Sequence, residues 1–439
     1  MTAIAEQPAT PTTTGRFIVT FKEGAKAEAY SALKKGAGIA KSDIMSSADF
    51  QDDGADIDNV PDAGGVWFEN LGIAVMNMPP DSAGAFAEDV GGDSAILAIE
   101  PEGMMYVLAD LQGGVSSDYL RGFRDAAAAI QAGGRVSDAA AASFAQDAAI
   151  MAVFADTASL TWGLQATRAA NSAFTGKGRK VAVLDTGLDL THPDFKGRSI
   201  TSQSFIPGVA SVQDGHGHGT HCIGTSCGPK TPTTGRRYGI ASGAQIFVGK
   251  VLADNGKGGD IGILAGIDWA VQNKCHVISM SLGADEPTTS IAYESAGQRA
   301  LNAGSLIVAA AGNNARRQNG NFGFVGRPAN SRSMMAVGAI DVAMAMGSFS
   351  ARDTNHAAGT AVDIAAPGVA VYSSVPVSKG SYGFKDGTSM ATPHVAGIAA
   401  LIAEKTGASG AALWQQLIVN AKAINQQIVD VGRGLVQAP

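Results

Sequence analysis

Apolar residues are distributed in two ways along this chain. Beyond about residue 160 they gather into short unbroken runs: Lys180-Val-Ala-Val-Leu184, Gln245-Ile-Phe-Val-Gly249, Val277-Ile-Ser-Met280 and Leu306-Ile-Val-Ala-Ala310. Such runs predict strands buried on both faces of a parallel sheet. Between them, residues 261–272, 290–302 and 389–404 carry helical patterns. Strand and helix in alternation predict an α/β fold with right-handed crossovers. Its functional site should lie beyond the carboxyl ends of the strands. Before residue 109 the pattern changes. Strands are predicted at 16–21, 72–77 and 95–99, and helices at 25–35 and 81–90, with Asp81 as the second helix's N-cap. That β-α-β…α-β order predicts a small α+β domain over residues 16–108. Its acidic stretch at 49–62 reads as a solvated loop. Residues 109–159 are Ala-rich and predict one or two linking helices. The third domain then runs over 160–439.

Composition narrows the function. A hydrophobic content of 45% with 16% charged residues supplies a core and argues against bulk disorder. The net charge of −7 excludes the basic footprint that nucleic acid requires. No apolar run approaches the ~20 residues of a membrane span. The first fifteen residues show neither a basic start nor an apolar core, so no secretory signal is read there and a cytoplasmic or leaderless route is expected. Three cysteines, Cys222, Cys227 and Cys275, do not make a disulfide framework.

Three glycine-framed segments carry chemistry. Val183-Leu-Asp-Thr-Gly187 places Asp185 at the end of a predicted strand. Alone, this residue could equally cap a turn. The same pattern marks aspartic proteases, but their chemistry needs two carboxylates sharing a proton, and no second such segment occurs. Asp214-Gly-His-Gly-His-Gly-Thr-His-Cys222 brings together His216, His218 and His221, which suits either a catalytic base or a metal cluster. Gly387-Thr-Ser-Met-Ala-Thr-Pro-His394 sets Ser389 at the head of an apolar helix, where backbone N–H groups and the helix dipole favour negative charge. It lacks the G-x-S-x-G form of the α/β-hydrolase nucleophile elbow.

Taken together, these segments resemble the subtilisin-like serine proteases, in which acid, base and nucleophile follow in the chain order Asp, His, Ser. The resemblance spans about residues 160–439. Residues 238–259 and Cys222, directly after His221, are similar to the proteinase K branch. The resemblance implies Ser389 as nucleophile, His218 as general base and Asp185 as the group that orients it. It implies Asn313, in Val308-Ala-Ala-Ala-Gly-Asn313, as an oxyanion donor. It further implies that Lys257, Gly258, Gly259 and Ser281, Leu282, Gly283 flank an extended peptide substrate. Gly326 would form the floor of a pocket for large apolar residues, and Asp260 the rim of another that favours a basic residue. No cofactor is required for catalysis and no metal-binding residue is assigned. A second family site would place a structural calcium near Asp363, with carbonyls near Arg332 and Met334, although Asp363 at a strand end could equally serve a turn. The segment where the family's strong calcium loop should lie, residues 227–238, instead carries Lys230, Arg236 and Arg237 and no carboxylate. Residues 16–108 resemble the inhibitor-type propeptide of these proteases. They would act as an intramolecular inhibitor until the chain cuts itself between Met104 and Leu160.

Overall fold

A computed structural model describes residues 13–49, 64–87, 90, 94–108, 154–352 and 361–439. The acidic loop from residue 50 to 62 and most of the Ala-rich linker lie outside the described residues. Residues 154–159 are described and form no α-helix.

The N-terminal unit is built from β1 (Thr13–Phe21), α1 (Lys26–Ala37), β2 (Ile44–Ser46), β3 (Gly65–Phe68), β4 (Ile73–Met76), α2 (Pro80–Ala87) and β5 (Ile96–Val107). β1 lies between β4 and β5, antiparallel to both. Phe21, Leu33, Trp67, Met76 and Phe86 close the core between the sheet and its two helices. α2 starts one residue earlier than its sequence pattern implies, so Asp81 sits in the first turn rather than at the N-cap. β5 is far longer than its apolar run, because Glu100-Pro-Glu-Gly103 continues the strand without being apolar.

The larger unit carries a parallel sheet in the order β14-β13-β12-β10-β6-β8-β7. Its strands are β6 (Lys180–Asp185), β7 (Ile200–Ser204), β8 (Gln245–Lys250), β10 (Val277–Met280), β12 (Leu306–Ala310), β13 (Met335–Ile340) and β14 (Ile364–Pro367). Two further strands, β9 (Lys257–Gly259) and β11 (Leu282–Gly283), leave this sheet's carboxyl edge. A β15 (Val371–Ser374) and β16 (Tyr382–Lys385) hairpin stands beside it.

Alternate residues of each strand feed two cores. Leu184, Ile278, Ile307 and Ala336 face α4 (Asp260–Gln272) and α5 (Ile291–Asn302). Val183, Val277, Val308 and Val337 face α3 (His218–Cys227) and α6 (Thr388–Thr406). Burial on both faces is why these strands read as unbroken apolar runs. Each buried Val, Leu or Ile stabilises the sheet by about 1.5–3 kcal/mol. β13 and β14, Met-Ala-Val-Gly-Ala-Ile and Ile-Ala-Ala-Pro, went unread because small residues carry weak strand propensity. Tight packing between layers explains that choice.

The two units share a sheet edge. The carboxyl half of β5 pairs antiparallel with β9 on one side, in the register Met104–Gly259, Met105–Gly258 and Tyr106–Lys257. On the other side it pairs with β11, Val107 against Leu282 and Tyr106 against Gly283. Glu100 and Glu102 add two helix caps. Glu100 accepts from the Ala292 N–H at the head of α5, at 2.8 Å. Glu102 accepts from the Ile261 N–H at the head of α4, at 2.9 Å.

Candidate active site

β6 delivers Asp185 to the carboxyl edge of the sheet, fully buried. The turn that follows brings α3 against it, with His218 as the first residue of the helix. Gly217, at φ 94°, makes this entry; a side chain there would also strike Pro376. Asp214 fixes the turn. Its carboxylate accepts from the N–H groups of His216, Gly217 and Thr220 and from the hydroxyls of Thr186 and Thr220. It thereby ties the head of α3 to the turn after Asp185. Asp-Gly just before a helix signals such a cap, although the sequence reading gave Asp214 no role.

The His218 ring follows from this frame. Nδ1 lies 2.8 and 2.9 Å from the two Asp185 oxygens. Burial opposes the imidazolium, but the buried Asp185 carboxylate outweighs it and holds the His218 pKa well above the ordinary value. In the neutral ring the proton sits on Nδ1, toward Asp185, and Nε2 is the nitrogen that accepts. Nε2 is buried and makes no protein hydrogen bond.

Ser389 reaches the same place from α6. Gly387 leads in at φ 151°, and a Cβ there would stand 3.1 Å from the Asn313 amide nitrogen. Pro393 lies inside the helix and has no N–H to give to the carbonyl four residues back, that of Ser389. The freed carbonyl accepts from Ser281 Oγ at 2.8 Å and from the Cys222 thiol at 3.5 Å. Ser389 Oγ donates to the Ser281 carbonyl at 3.2 Å rather than to His218. Cys222 Sγ lies 3.8 Å from His218 Nδ1, beneath base and nucleophile alike. Burial pushes its pKa up, so it stays a neutral thiol.

Asn313 follows β12. Its Oδ1 accepts from the Thr388 N–H at 3.0 Å and hydroxyl at 2.9 Å. That anchors the amide so that Nδ2 points at the Leu108 carbonyl, 3.5 Å away. Leu108 is 8% exposed and directly follows the strand held between β9 and β11. Its Cδ2 lies 3.5 Å from where a Cβ on Gly283 would stand. Glycine at 259 permits the close approach of this strand, and glycine at 258 permits that of Val251 behind it. A Cβ on Gly258 would meet Val251 O at 2.2 Å, and one on Gly259 would meet Glu102 Oε1 at 2.9 Å.

Not every expected residue lines this groove. Ser281 is turned to the nucleophile's helix, while Leu282 and Gly283 form the edge. The absent side chain of Gly326 faces the Ala284 carbonyl, at 2.5 Å, so glycine there lets two wall segments touch. Of the three clustered histidines, His221 turns its Nε2 to the Val371 carbonyl, 2.9 Å away. Among the described residues, the group that could converge on a metal is Asp185, His218 and Cys222, without His216 or His221. With β5 in the groove, Asp260 is fully buried. Tyr293 OH and the Gly103 N–H each bond one of its oxygens, both at 2.7 Å. The neighbouring rung of the ladder pairs Gly259 with the apolar Met104.

The chain matches the Subtilase family of peptidases over residues 176–435. It belongs to the subtilase family. Subtilisin Savinase of Lederbergia lenta is 42% identical over 250 residues, which are 56% of this chain and 85% of that protein. M-protease of Shouchella clausii is 42% identical over 250 residues, or 60% of its length. Subtilisin E of Bacillus subtilis is 41% identical over 236 residues, 54% of this chain and 58% of that protein. The chain thus spans about three fifths of two of these relatives. The part of this subtilase that matches its family holds Asp185, His218, Asn313 and Ser389, and the arrangement is that of a serine-type endopeptidase. The N-terminal unit and the strand that fills the groove lie outside the matched part.

Proposed function

We propose that this chain is a serine endopeptidase made as a self-processing zymogen, and that the peptide bond after Leu108 is its first substrate. The observation that carries this reading is β5. Residues 104–107 lie as an added strand between β9 and β11, with the carbonyl of the next residue, Leu108, facing the Asn313 amide. Main-chain pairing on both sides is how an enzyme reads an extended peptide with little regard to sequence.

The chemistry follows from the groups in place. His218 Nε2 takes the proton of Ser389 Oγ as that oxygen adds to the Leu108 carbonyl carbon. The new oxyanion is held by Asn313 Nδ2 and the Ser389 N–H. Asp185 keeps the ring in the reactive tautomer and stabilises the imidazolium. His218 then gives the proton to the leaving amine of residue 109, and the acyl-enzyme remains. Water repeats the sequence, with His218 again as base. Leu108 supports a preference for a large apolar residue before the cut. Until its fragment leaves, residues 13–108 cover the groove and act as an intramolecular inhibitor. The slow folding expected of a parallel sheet gives such a segment a second use as a template. Cys222 beneath the base supports placement in the proteinase K branch.

No cofactor enters this reaction. A structural calcium at Asp363 fits a carboxylate whose pKa burial pushes up to about 7, with the Ala336 N–H opposing. The ion would neutralise that charge and take no part in the chemistry. A melting temperature unmoved by a chelator would remove it.

The test of the whole reading is N-terminal sequencing of the purified full-length chain after incubation. The unaltered chain should yield a new N-terminus at Ala109. Ser389→Ala should stay intact, and trimming of that variant in pure form would defeat self-processing.

A further inference from the structure

Asp260 does more than close the strand ladder. β9 ends at Gly259, where the chain turns into α4, so regular pairing with β5 stops at Met104–Gly259. One residue further back on β5, the Gly103 N–H meets the Asp260 carboxylate at 2.7 Å. The carboxylate is fully buried and preset from the other side by Tyr293 OH, at 2.7 Å on the second oxygen. Asp260 thus offers a fixed acceptor where a strand edge can offer none. Counting back from Leu108, Gly103 is the sixth residue before the proposed cut.

We infer that Asp260 is a specificity-determining residue that extends substrate recognition to the sixth residue before the cleaved bond, where it requires a free backbone N–H. The inference deepens the proposed function and rests on its reading of β5 as a bound substrate. A carboxylate can accept from any residue's N–H, so the contact selects for length and against an N-substituted residue, proline included, rather than for a side chain. It also replaces the basic-residue preference that the sequence suggested for Asp260. Both oxygens are occupied by neutral donors, and the side chain nearest in the strand ladder is apolar.

The test uses enzyme matured from the full chain and a pair of chromogenic peptides ending in Met-Met-Tyr-Val-Leu. One carries Gly at the sixth position and the other N-methylglycine, which differs by replacing the N–H with N–CH3. A hydrogen bond to a charged acceptor predicts kcat/KM about tenfold higher for the glycine peptide, mostly through KM. In Asp260→Ala the ratio should collapse to near one, and in Asp260→Asn, which keeps an acceptor oxygen, it should partly return. A ratio near one in the unaltered enzyme, or an unchanged ratio in Asp260→Ala, overturns the inference while leaving the proposed function standing. Failure to cut either peptide after leucine takes down both.

Discussion

Leu108 offers the sharpest quantitative trial of how the N-terminal unit is joined to the active site. Its side chain is 8% exposed, and its carbonyl meets Asn313. Leu108→Ala removes three methylene equivalents from that pocket, at ~0.8 kcal/mol each, or about 2.4 kcal/mol. If the strand end must be seated for cutting, that loss slows self-cleavage by at most ~50-fold. Leu108→Asp adds the several kcal/mol needed to bury an unpaired carboxylate, so cutting after residue 108 should fall by ~10³-fold or more. Leu108→Met conserves volume and should cut at close to the original rate. The assay is intact-mass analysis of purified protein over time, which reads both rate and position. Cutting of Leu108→Asp after residue 108 at an undiminished rate would refute the seating of Leu108 in the pocket.

Retention of the severed N-terminal unit should depend on pH. Asp260 and Asp268 are buried where the two units meet, and burial pushes both up from 3.8 to about 6. Around Asp260 stand Glu102, Arg327, Tyr293 OH and the Gly103 N–H. Around Asp268 stand Glu69, the Ser47 hydroxyl and the Asn70 N–H. Undocking returns both carboxylates to water, so the docked form binds protons more tightly. Acid therefore favours docking: the contribution is complete below about pH 4 and gone above about pH 6. Co-elution of the two fragments should weaken across that window, and retention that strengthens as pH rises through it would contradict this.

The site residues differ in how far the sequence could announce them. Asp185, His218 and Ser389 each sit in a glycine-framed segment, because sharp turns at strand ends and helix heads need glycine and leave a local signature. The buried strands were legible for a similar reason, since burial on both faces writes an apolar run. Other contributions have no local signature. Asn313 becomes a donor because Thr388, 75 residues away, holds its oxygen. Pro393 matters through a hydrogen bond it cannot make, which frees the Ser389 carbonyl for Ser281 and Cys222. Asp194 is bonded by the Thr233 N–H and the hydroxyls of Tyr238 and Tyr382. That gives the carboxylate-free stretch at 227–238 its own polar anchor.

By itself, then, the sequence determined the apolar core strands and the main helices, and which side chains could do acyl-transfer chemistry. Both follow from periodicity and turn chemistry within a few residues. Tertiary structure alone decided what fills the groove. Glu100, Glu102 and Leu108 look unremarkable in a row, and become two helix caps and a pocket occupant only when β5 lies against β9 and β11. Contacts of that kind join residues more than 150 positions apart, and no local pattern encodes the partner of a strand edge or a helix head.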